Sequence, residues 1–306
     1  MSDRPICSYE GSRYSTEFWT SERSYEDAVE RVAMRALLPP TGRTLIEIGA
    51  GFGRLADLYA GYDTVVIFDY ARTQLTQAVE RLGDAGPDDK PNYVFVQGDF
   101  YHLPFVAGLF DTVTMIRTLH HAADAPAVLR GIAEILGPRG VFVLEFANKR
   151  NLKAILRYLA RRQSWSPFDR APVEFVELNY DFHPRWIWQQ LEKLGLQREA
   201  IRTASHYRWA PLKRLLPTSF LVRLDALAQP TGMLWQVSPS VFVRSRAQAT
   251  RAEAAAGAFF RCPNCGAALG APPASSFVCA CGATWEREDH IYNFLSPADD
   301  QDNESG

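Results

Sequence analysis

Apolar residues in the first half of the chain fall in short unbroken runs, each followed by a stretch of helical spacing. Thr44, Leu45, Ile46 and Ile48 lead straight into Gly49-Ala50-Gly51-Phe52-Gly53, and Leu55, Leu58 and Tyr59 then recur at helical intervals. A buried parallel strand ending in a glycine turn that opens a helix near residues 53–60 accounts for this pattern. The alternation continues with a strand over 64–69, a helix over 71–82, a Gly/Pro/Asp-rich turn and a strand over 92–97. A strand over 110–116, a helix over 124–136, a Gly137-Pro138-Arg139-Gly140 turn and a strand over 141–146 complete it. Strands alternating with helices predict an α/β fold, with a parallel sheet covered on both faces.

The flanks read differently. Within residues 14–38, Tyr25, Val29, Val32, Ala33, Ala36 and Leu37 share one helical face and Pro39-Pro40 stop the helix, giving an expected N-terminal helical cap over 1–41. After residue 146 the pattern predicts a helix over 184–194. Two strands over 198–209 and 238–246 follow, joined by a Leu-rich insertion over 211–235. Residues 247–258 read as an Ala-rich polar linker, and 297–306 as a disordered tail.

Composition narrows the classes. A chain of 306 residues, 47% hydrophobic and 12% aromatic, holds a sizeable core and about two domains. A net charge of −2 and a pI of 6.3 argue against a protein that coats nucleic acid over its whole surface. The first residues lack a basic-then-apolar leader, and no apolar run reaches the ~18 residues of a membrane span. A cytoplasmic protein is expected.

The glycine turn sharpens the chemistry. Glycines admit a ligand close to the backbone, and a helix N-terminus offers N–H groups and a positive dipole end. Counting G-x-G-x-x-G from Gly49 lands on Arg54, where a dinucleotide fingerprint requires Gly or Ala. The pattern is E-x-G-x-G-x-G, with Glu47 inside the strand. It resembles the first motif of class I S-adenosylmethionine (SAM)-dependent methyltransferases. The resemblance rests on motifs over 44–146 and on element order to about residue 246. It implies a Rossmann-like seven-stranded methyltransferase sheet, closed by an antiparallel hairpin, within a domain over 42–246.

Open parallel sheets bind ligands at the carboxyl ends of their strands. Asp69 ends strand two, 20 residues after Gly49, where an acid grips ribose hydroxyls. Asp99 ends strand three, where a carboxylate accepts from an adenine amino group beside Phe100. The resemblance therefore implies SAM binding by Glu47, Gly49, Ala50, Gly51, Gly53, Asp69, Tyr70, Asp99, Phe100 and Arg117. Capping of the following segments is the other reading of Asp69 and Asp99. Because the sulfonium already activates the methyl group, catalysis is mostly positioning, plus a base where the acceptor loses a proton. Candidate bases are His120 and His121 after strand four, Tyr180 and His183 further on, and His206; His120 and His121 also have a purely structural reading.

Cys262-Pro-Asn-Cys265-Gly and Cys279-Ala-Cys281-Gly, separated by residues 266–278, pair thiolates on two tight turns. Such pairs suit tetrahedral zinc held by Cys262, Cys265, Cys279 and Cys281. Disulfide or redox use and inert cysteines are the alternatives. The segment is too short for its own core, so metal would supply its folding free energy. With residues 285–295 expected as a strand, it resembles the zinc ribbons attached to, or partnering, some RNA and protein methyltransferases. That implies a small structural zinc ribbon over 259–296, with RNA or protein among its possible partners.

Residues 149–162 hold six basic residues and no acid. On a helix Lys153, Arg157 and Arg161 form one stripe and Leu152, Ile155, Leu156 and Leu159 another. This suits an anionic membrane surface or phosphates, or else a core-packed helix with a solvated basic face. The Leu-rich insertion and the Trp186/Trp188 pair suit an apolar or lipid-like methyl acceptor, though both also read as ordinary packing. An RNA base is the alternative acceptor, suggested by the ribbon. A non-enzymatic scaffold whose ribbon recruits a partner is the third reading.

Overall fold

The computed structural model describes residues 10–11, 23–83 and 91–295. Residues 14–22 of the expected N-terminal helix, 84–90 of the Gly/Pro/Asp-rich turn and the expected tail over 297–306 lie outside the described residues.

In chain order the elements are α1 (Ser24–Leu37), β1 (Gly42–Ile48), β2 (Tyr62–Asp69), α2 (Arg72–Leu82), β3 (Asn92–Gln97) and β4 (Phe110–Met115). There follow α3 (Ala125–Ile135), β5 (Leu136–Ala147), α4 (Leu152–Leu159), β6 (Val173–Val176), β7 (Asn179–Asp181) and α5 (Pro184–Lys193). The chain continues through β8 (Leu196–Ala204), α6 (Ala210–Leu215), α7 (Thr218–Ala228), β9 (Ser240–Ala247), β10 (Ser276–Val278), β11 (Thr284–Glu288) and β12 (Ile291–Asn293). β1 to β5 are mutually parallel, and β9 alone is reversed, antiparallel to both β5 and β8, in the order β3-β2-β1-β4-β5-β9-β8. These are the seven strands expected of the α/β sheet; β12, β11 and β10 extend it beyond β3 to ten strands.

Both faces are covered, which is why the strands read as continuous apolar runs. On one face Val128, Leu129 and Ile132 of α3 pack with Ile187 and Leu191 of α5 over Ile46, Val113 and Leu144. On the other, Val29, Ala33 and Met34 of α1 join Leu75 of α2 and Leu221 of α7 over Leu45, Val65 and Val143. Among the described residues no helix is long and apolar enough to cross a membrane.

The structure departs from the sequence expectations in several places. The helix expected over 53–60 is one 3₁₀ turn, Ala56–Tyr59, because Gly49, Gly51 and Gly53 all take positive φ and use up the chain in the turn. The expected turn over 137–140 is absorbed into β5 as an irregularity: Phe110 pairs with Leu136 but Thr112 with Val141, and Arg139 takes φ 57. The strand expected over 285–295 is a hairpin of β11 and β12, reversed at Asp289-His290 with φ 48 and 69. The Ala-rich linker is strapped down, with Arg251 donating to the carbonyls of Ala133 and Leu194 and Ala254 N–H to Gly108 O at 3.2 Å.

Two features have no counterpart in the sequence reading. A hairpin of β6 and β7 stands between α4 and α5. The cysteine-bearing segment is also continuous with the sheet: β12 runs parallel to β3, with Ile291 opposite Phe95 and Asn293 opposite Gln97. Phe260, fully buried, fills the junction, its ring 5.8 Å from Phe105 and 4.8 Å from Phe294.

Candidate active site

A cleft opens at the carboxyl ends of β1, β2 and β4. Of the residues expected to hold a cofactor, Glu47, Gly49, Ala50, Gly51, Asp69, Tyr70, Phe100 and Arg117 line it. The glycine turn has three separate jobs. At Gly49 (φ 71) a Cβ would lie 2.2 Å from Thr118 Oγ1, so only glycine lets β1 and the loop after β4 close together. At Gly51 (φ 53) a Cβ would meet nothing nearer than Gln74 Oε1 at 3.9 Å, so this backbone borders open space. Gly53 does not line the cleft; its missing side chain makes room for Leu82 of α2, whose Cδ1 would be 2.8 Å away.

Asp69 ties the two sides of the cleft together. Its Oδ2 accepts from Gly51 N–H at 2.7 Å and its Oδ1 from Ala71 N–H at 3.0 Å. Burial pushes its carboxyl above the usual range, against the pull of these donors. Asp99 is different. Its oxygens accept from Tyr101 N–H at 2.7 Å and meet His102 Nδ1 at 2.7 Å, and it does not line the cleft. Here the capping reading describes the geometry, because the loop turns back at residue 99 and aims the carboxylate at its own backbone.

Glu47 is an acid inside a buried strand. Burial raises its carboxyl to about 7, partly offset by the Arg54 charge. Its Oε2 has no hydrogen-bond partner among the described residues. Arg54 and Arg117 reach back to α1, where the fully buried Glu30 accepts from Arg54 Nη2 at 2.8 Å and Arg117 Nε at 2.6 Å. Removing one member of such a buried pair typically costs about 3–5 kcal/mol, so Glu30 fastens α1 beside the cleft.

A second cleft adjoins the first. Arg117 and His121 line both, and the second adds His120, Glu145, Asn148, Phe175 and Asp181 among others. Glu145 accepts from Ser240 Oγ and from Arg117 N–H at 3.0 Å, and burial raises its carboxyl. Burial likewise raises Asp181 to about 6, against the charges of Arg157 and Lys149. His121 Nδ1 lies 3.1 Å from the Leu178 carbonyl, which only accepts, so Nδ1 carries the proton and Nε2 is the basic nitrogen. Burial pushes the pKa of both His120 and His121 down, for His120 with help from the neighbouring His121 and Arg117 charges.

The other candidate bases, His183, Tyr180 and His206, sit outside both clefts, and His206 Nδ1 lies 3.1 Å from Asp225 Oδ2. His183 Nδ1 accepts from Arg185 N–H at 3.1 Å and caps α5. Tyr180 lies opposite Glu174 in the β6–β7 hairpin. Trp186 and Trp188 also line neither; their rings lie 5.4 Å from Phe182 and 5.7 Å from Phe146. The Leu-rich insertion packs Leu212, Leu216 and Leu221 into the α1 side of the core.

Several lining residues escaped the sequence reading. Gln74 reaches the first cleft from α2, and Arg54 does so only because α1 supplies its acids. Glu145 had a usable signal: like Glu47, it is an acid within an apolar strand.

At the far edge of the sheet, the Sγ atoms of Cys262, Cys265, Cys279 and Cys281 all lie within 4.8 Å of one another. Cys262–Cys281 at 3.7 Å and Cys265–Cys279 at 3.4 Å approach the ~3.8 Å edge of a tetrahedron with 2.3 Å Zn–S bonds.

Residues 46–144 match the family described as a methyltransferase domain. They lie within an α/β sheet of the Rossmann-like methyltransferase fold. The match runs from the end of β1 through most of β5, the strands whose ends build the first cleft. Over 133 residues the chain is 32% identical to the 27-O-demethylrifamycin SV methyltransferase of Amycolatopsis mediterranei, covering 42% of this chain and 48% of that protein. Over 152 residues it is 31% identical to the ubiquinone biosynthesis O-methyltransferase of Paracidovorax citrulli, covering 47% of this chain and 62% of that one. The chain thus spans between about half and three-fifths of the length of these relatives. An S-adenosylmethionine dependent methyltransferase from Mesorhizobium loti superposes with a TM-score of 0.51 at 19% identity, over 73% of this chain and all (100%) of that one. The [4+2]-cyclase SpnF superposes equally well, at 0.51 and 16% identity, over 79% of this chain and 89% of its own. At such identities the chain shares a fold with these structures, and function has to be argued from the site.

Proposed function

We propose that this protein transfers a methyl group from SAM to an oxygen of a small, lipid-like acceptor. The observation that carries the reading is the first cleft, where a buried carboxylate oxygen of Glu47 without a hydrogen-bond partner and the Asp69 carboxylate border a glycine turn open at Gly51. That donor set suits a cationic, ribose-bearing ligand. When bound, SAM supplies a methyl group already activated by its sulfonium. The chain's own residues then bind and orient: Gly49, Ala50 and Gly51 bring backbone close, Asp69 accepts from hydroxyls, and Glu47 faces positive charge. Gly53 and Asp99 act indirectly, by packing α2 and by shaping the loop before Phe100.

The second cleft is assigned to the acceptor, because it meets the first at Arg117 and His121. His121 is the assigned base. A neutral imidazole with Nδ1–H held by Leu178 O presents Nε2 to take the proton that an acceptor hydroxyl loses. His120, Glu145 and Asp181 give this pocket a polar floor, which suits a polar reacting head. The two relatives named for O-methylation support oxygen as the acceptor atom.

Cys262, Cys265, Cys279 and Cys281 are assigned to a structural zinc ion, with 259–296 as its ribbon, 247–258 as the connection, 42–246 as the catalytic domain and 1–41 as its cap. A four-thiolate site suits a reducing compartment such as the cytoplasm. The RNA-base reading is disfavoured because β12 lies five strand positions from β5, roughly 24 Å at 4.8 Å per strand. A ribbon at that edge is remote from the acceptor cleft. The scaffold reading is disfavoured because the cofactor cleft is intact.

The acceptor is tested by incubating cell extracts with protein and methyl-labelled SAM, then resolving small-molecule, lipid and RNA fractions by mass spectrometry. Label in an extractable hydroxylated compound is expected; label in RNA alone overturns the choice. A pH titration tests the cleft. Since Glu47 titrates near 7 in the ligand-free protein, a cationic ligand must displace its proton at lower pH. SAM affinity measured calorimetrically should be full above about pH 8 and fall by up to tenfold per unit below about pH 6.5, at the slope of one linked proton. Glu47→Gln should flatten that dependence; an equally steep fall in the variant refutes this role.

A further inference from the structure

α4 inverts the usual arrangement of a surface helix. Such helices bury their apolar stripe and expose their polar one. Here Ala154 is the one fully buried residue, while Leu152, Leu156 and Leu159 are 56%, 58% and 67% exposed. These leucines lie at i, i+4 and i+7, on a single face. Lys153, Arg157, Arg161 and Arg162 are exposed around them, and no acid falls between residues 149 and 162. The helix is nevertheless firmly seated. Asn151 caps it by accepting from Ala154 N–H at 2.9 Å, and Leu152 N–H donates to Val237 O at 2.8 Å. The exposed leucines therefore belong to an ordered surface.

Its location gives that surface a use. Asn148 and Asn151, at the start of α4, line the second cleft, as does Phe175 of the β6–β7 hairpin, which is 53% exposed. Beside it Val176 is 58% exposed. Glu174 and Glu177, both exposed, sit on the same hairpin, so it adds two carboxylates beside its apolar tips and the positive charge of the region comes from α4.

We infer that α4 and the tip of the β6–β7 hairpin dock on an anionic lipid bilayer, with the leucine stripe entering the interface and the basic side chains meeting the headgroups. An exposed leucine row flanked by lysine and arginine has the chemistry of an interfacial helix. A second copy of this chain would set the six basic residues of 149–162 against their counterparts, with Glu174 and Glu177 of the hairpin too few to neutralise them. Docking there turns the mouth of the second cleft toward the bilayer, so that a membrane-dissolved acceptor enters with its polar head first. That last step rests on the assignment of the second cleft to the acceptor; the docking itself does not.

The test is cosedimentation of the full chain with vesicles of phosphatidylcholine alone and with 30% phosphatidylglycerol, with SAM binding as the check that each variant is folded. Binding to the anionic vesicles is expected, at least tenfold tighter than to neutral ones and weakened by salt. Lys153→Gln and Arg161→Gln should each cost about fivefold. Leu156→Ser with Leu159→Ser should abolish most binding while SAM affinity is unchanged, since both side chains are already in water. No binding to anionic vesicles overturns the inference, as does equal binding by the leucine variant. Conversion of a dimer to a monomer by that variant, without vesicle binding, assigns the face to a second copy instead. Methylation in solution by a chain that ignores vesicles would sink the docking and leave the proposed reaction standing. Vesicle binding by a chain that methylates nothing would do the reverse.

Discussion

Asp69→Ala is expected to weaken SAM binding by at least a hundredfold, measured by calorimetry, while Asp99→Ala weakens it by less than tenfold. Asp69 holds both Gly51 N–H and Ala71 N–H, so its removal strips the glycine turn and the start of α2 of a shared acceptor. Those two bonds hold the turn in both the free and the bound protein, whereas the ribose contacts proposed for Asp69 are made only on binding. Each hydrogen bond to a charged group contributes about 1.5–3 kcal/mol, so loss of two ribose hydroxyl contacts corresponds to roughly two to four decades of affinity. Asp99 is already engaged by Tyr101 N–H and His102 and lies outside the cleft lining, so truncating it loosens a loop. Equal or greater loss in Asp99→Ala would show that the second acid touches the ligand after all. Unchanged binding in Asp69→Ala would remove the ground for the cofactor assignment.

The second large effect is expected from the metal. The purified chain should carry one zinc, and replacing Cys262, Cys265, Cys279 and Cys281 together by serine should eliminate it. The same variant, or prolonged chelation, should lower the thermal midpoint by more than ten degrees and weaken SAM binding. Structural zinc contributes about 10–16 kcal/mol in finger peptides, comparable to the whole stability of a typical domain. In this chain the loss would not stay local. β12 completes the edge of β3, and Phe294 N–H donates to Gln97 O at 2.9 Å. Gln97 in turn donates through Nε2 to Tyr70 O at 3.2 Å, beside Asp69. Unravelling the ribbon therefore frees the strand end that supports the cleft. Zinc retained by the four-serine variant would refute the ligand set, and His290, exposed in the β11–β12 turn, would be the next ligand to test. Zinc lost with no change in midpoint would show that the ribbon folds on the sheet without it.

The sequence by itself determined the parallel sheet, the glycine turn and the two acids Glu47 and Asp69. These depend on local rules: strands buried on both faces are continuously apolar, a run of positive-φ turn residues favours glycine, and ligands collect at strand ends. The cysteine pairs were legible for the same reason, since knuckle spacing is a property of a few consecutive residues.

What only the tertiary structure decided was where non-local partners meet. Asp99 and Asp69 occupy equivalent strand ends in sequence, yet one loop turns its carboxylate inward and the other holds it across the cleft. His183 has the residue type of a base, but a proline start to α5 makes it a cap. The leucines of α4 follow a core-facing pattern, and whether such a stripe meets a core depends on what the rest of the chain packs beneath it. Here Ala154 fills that contact and the leucines face out. The place of the cysteine-bearing segment at the edge of β3 is likewise a pairing between strands nearly two hundred residues apart. Backbone hydrogen bonds of that kind can form with almost any side chains, so the residues along β12 carry little trace of their partner.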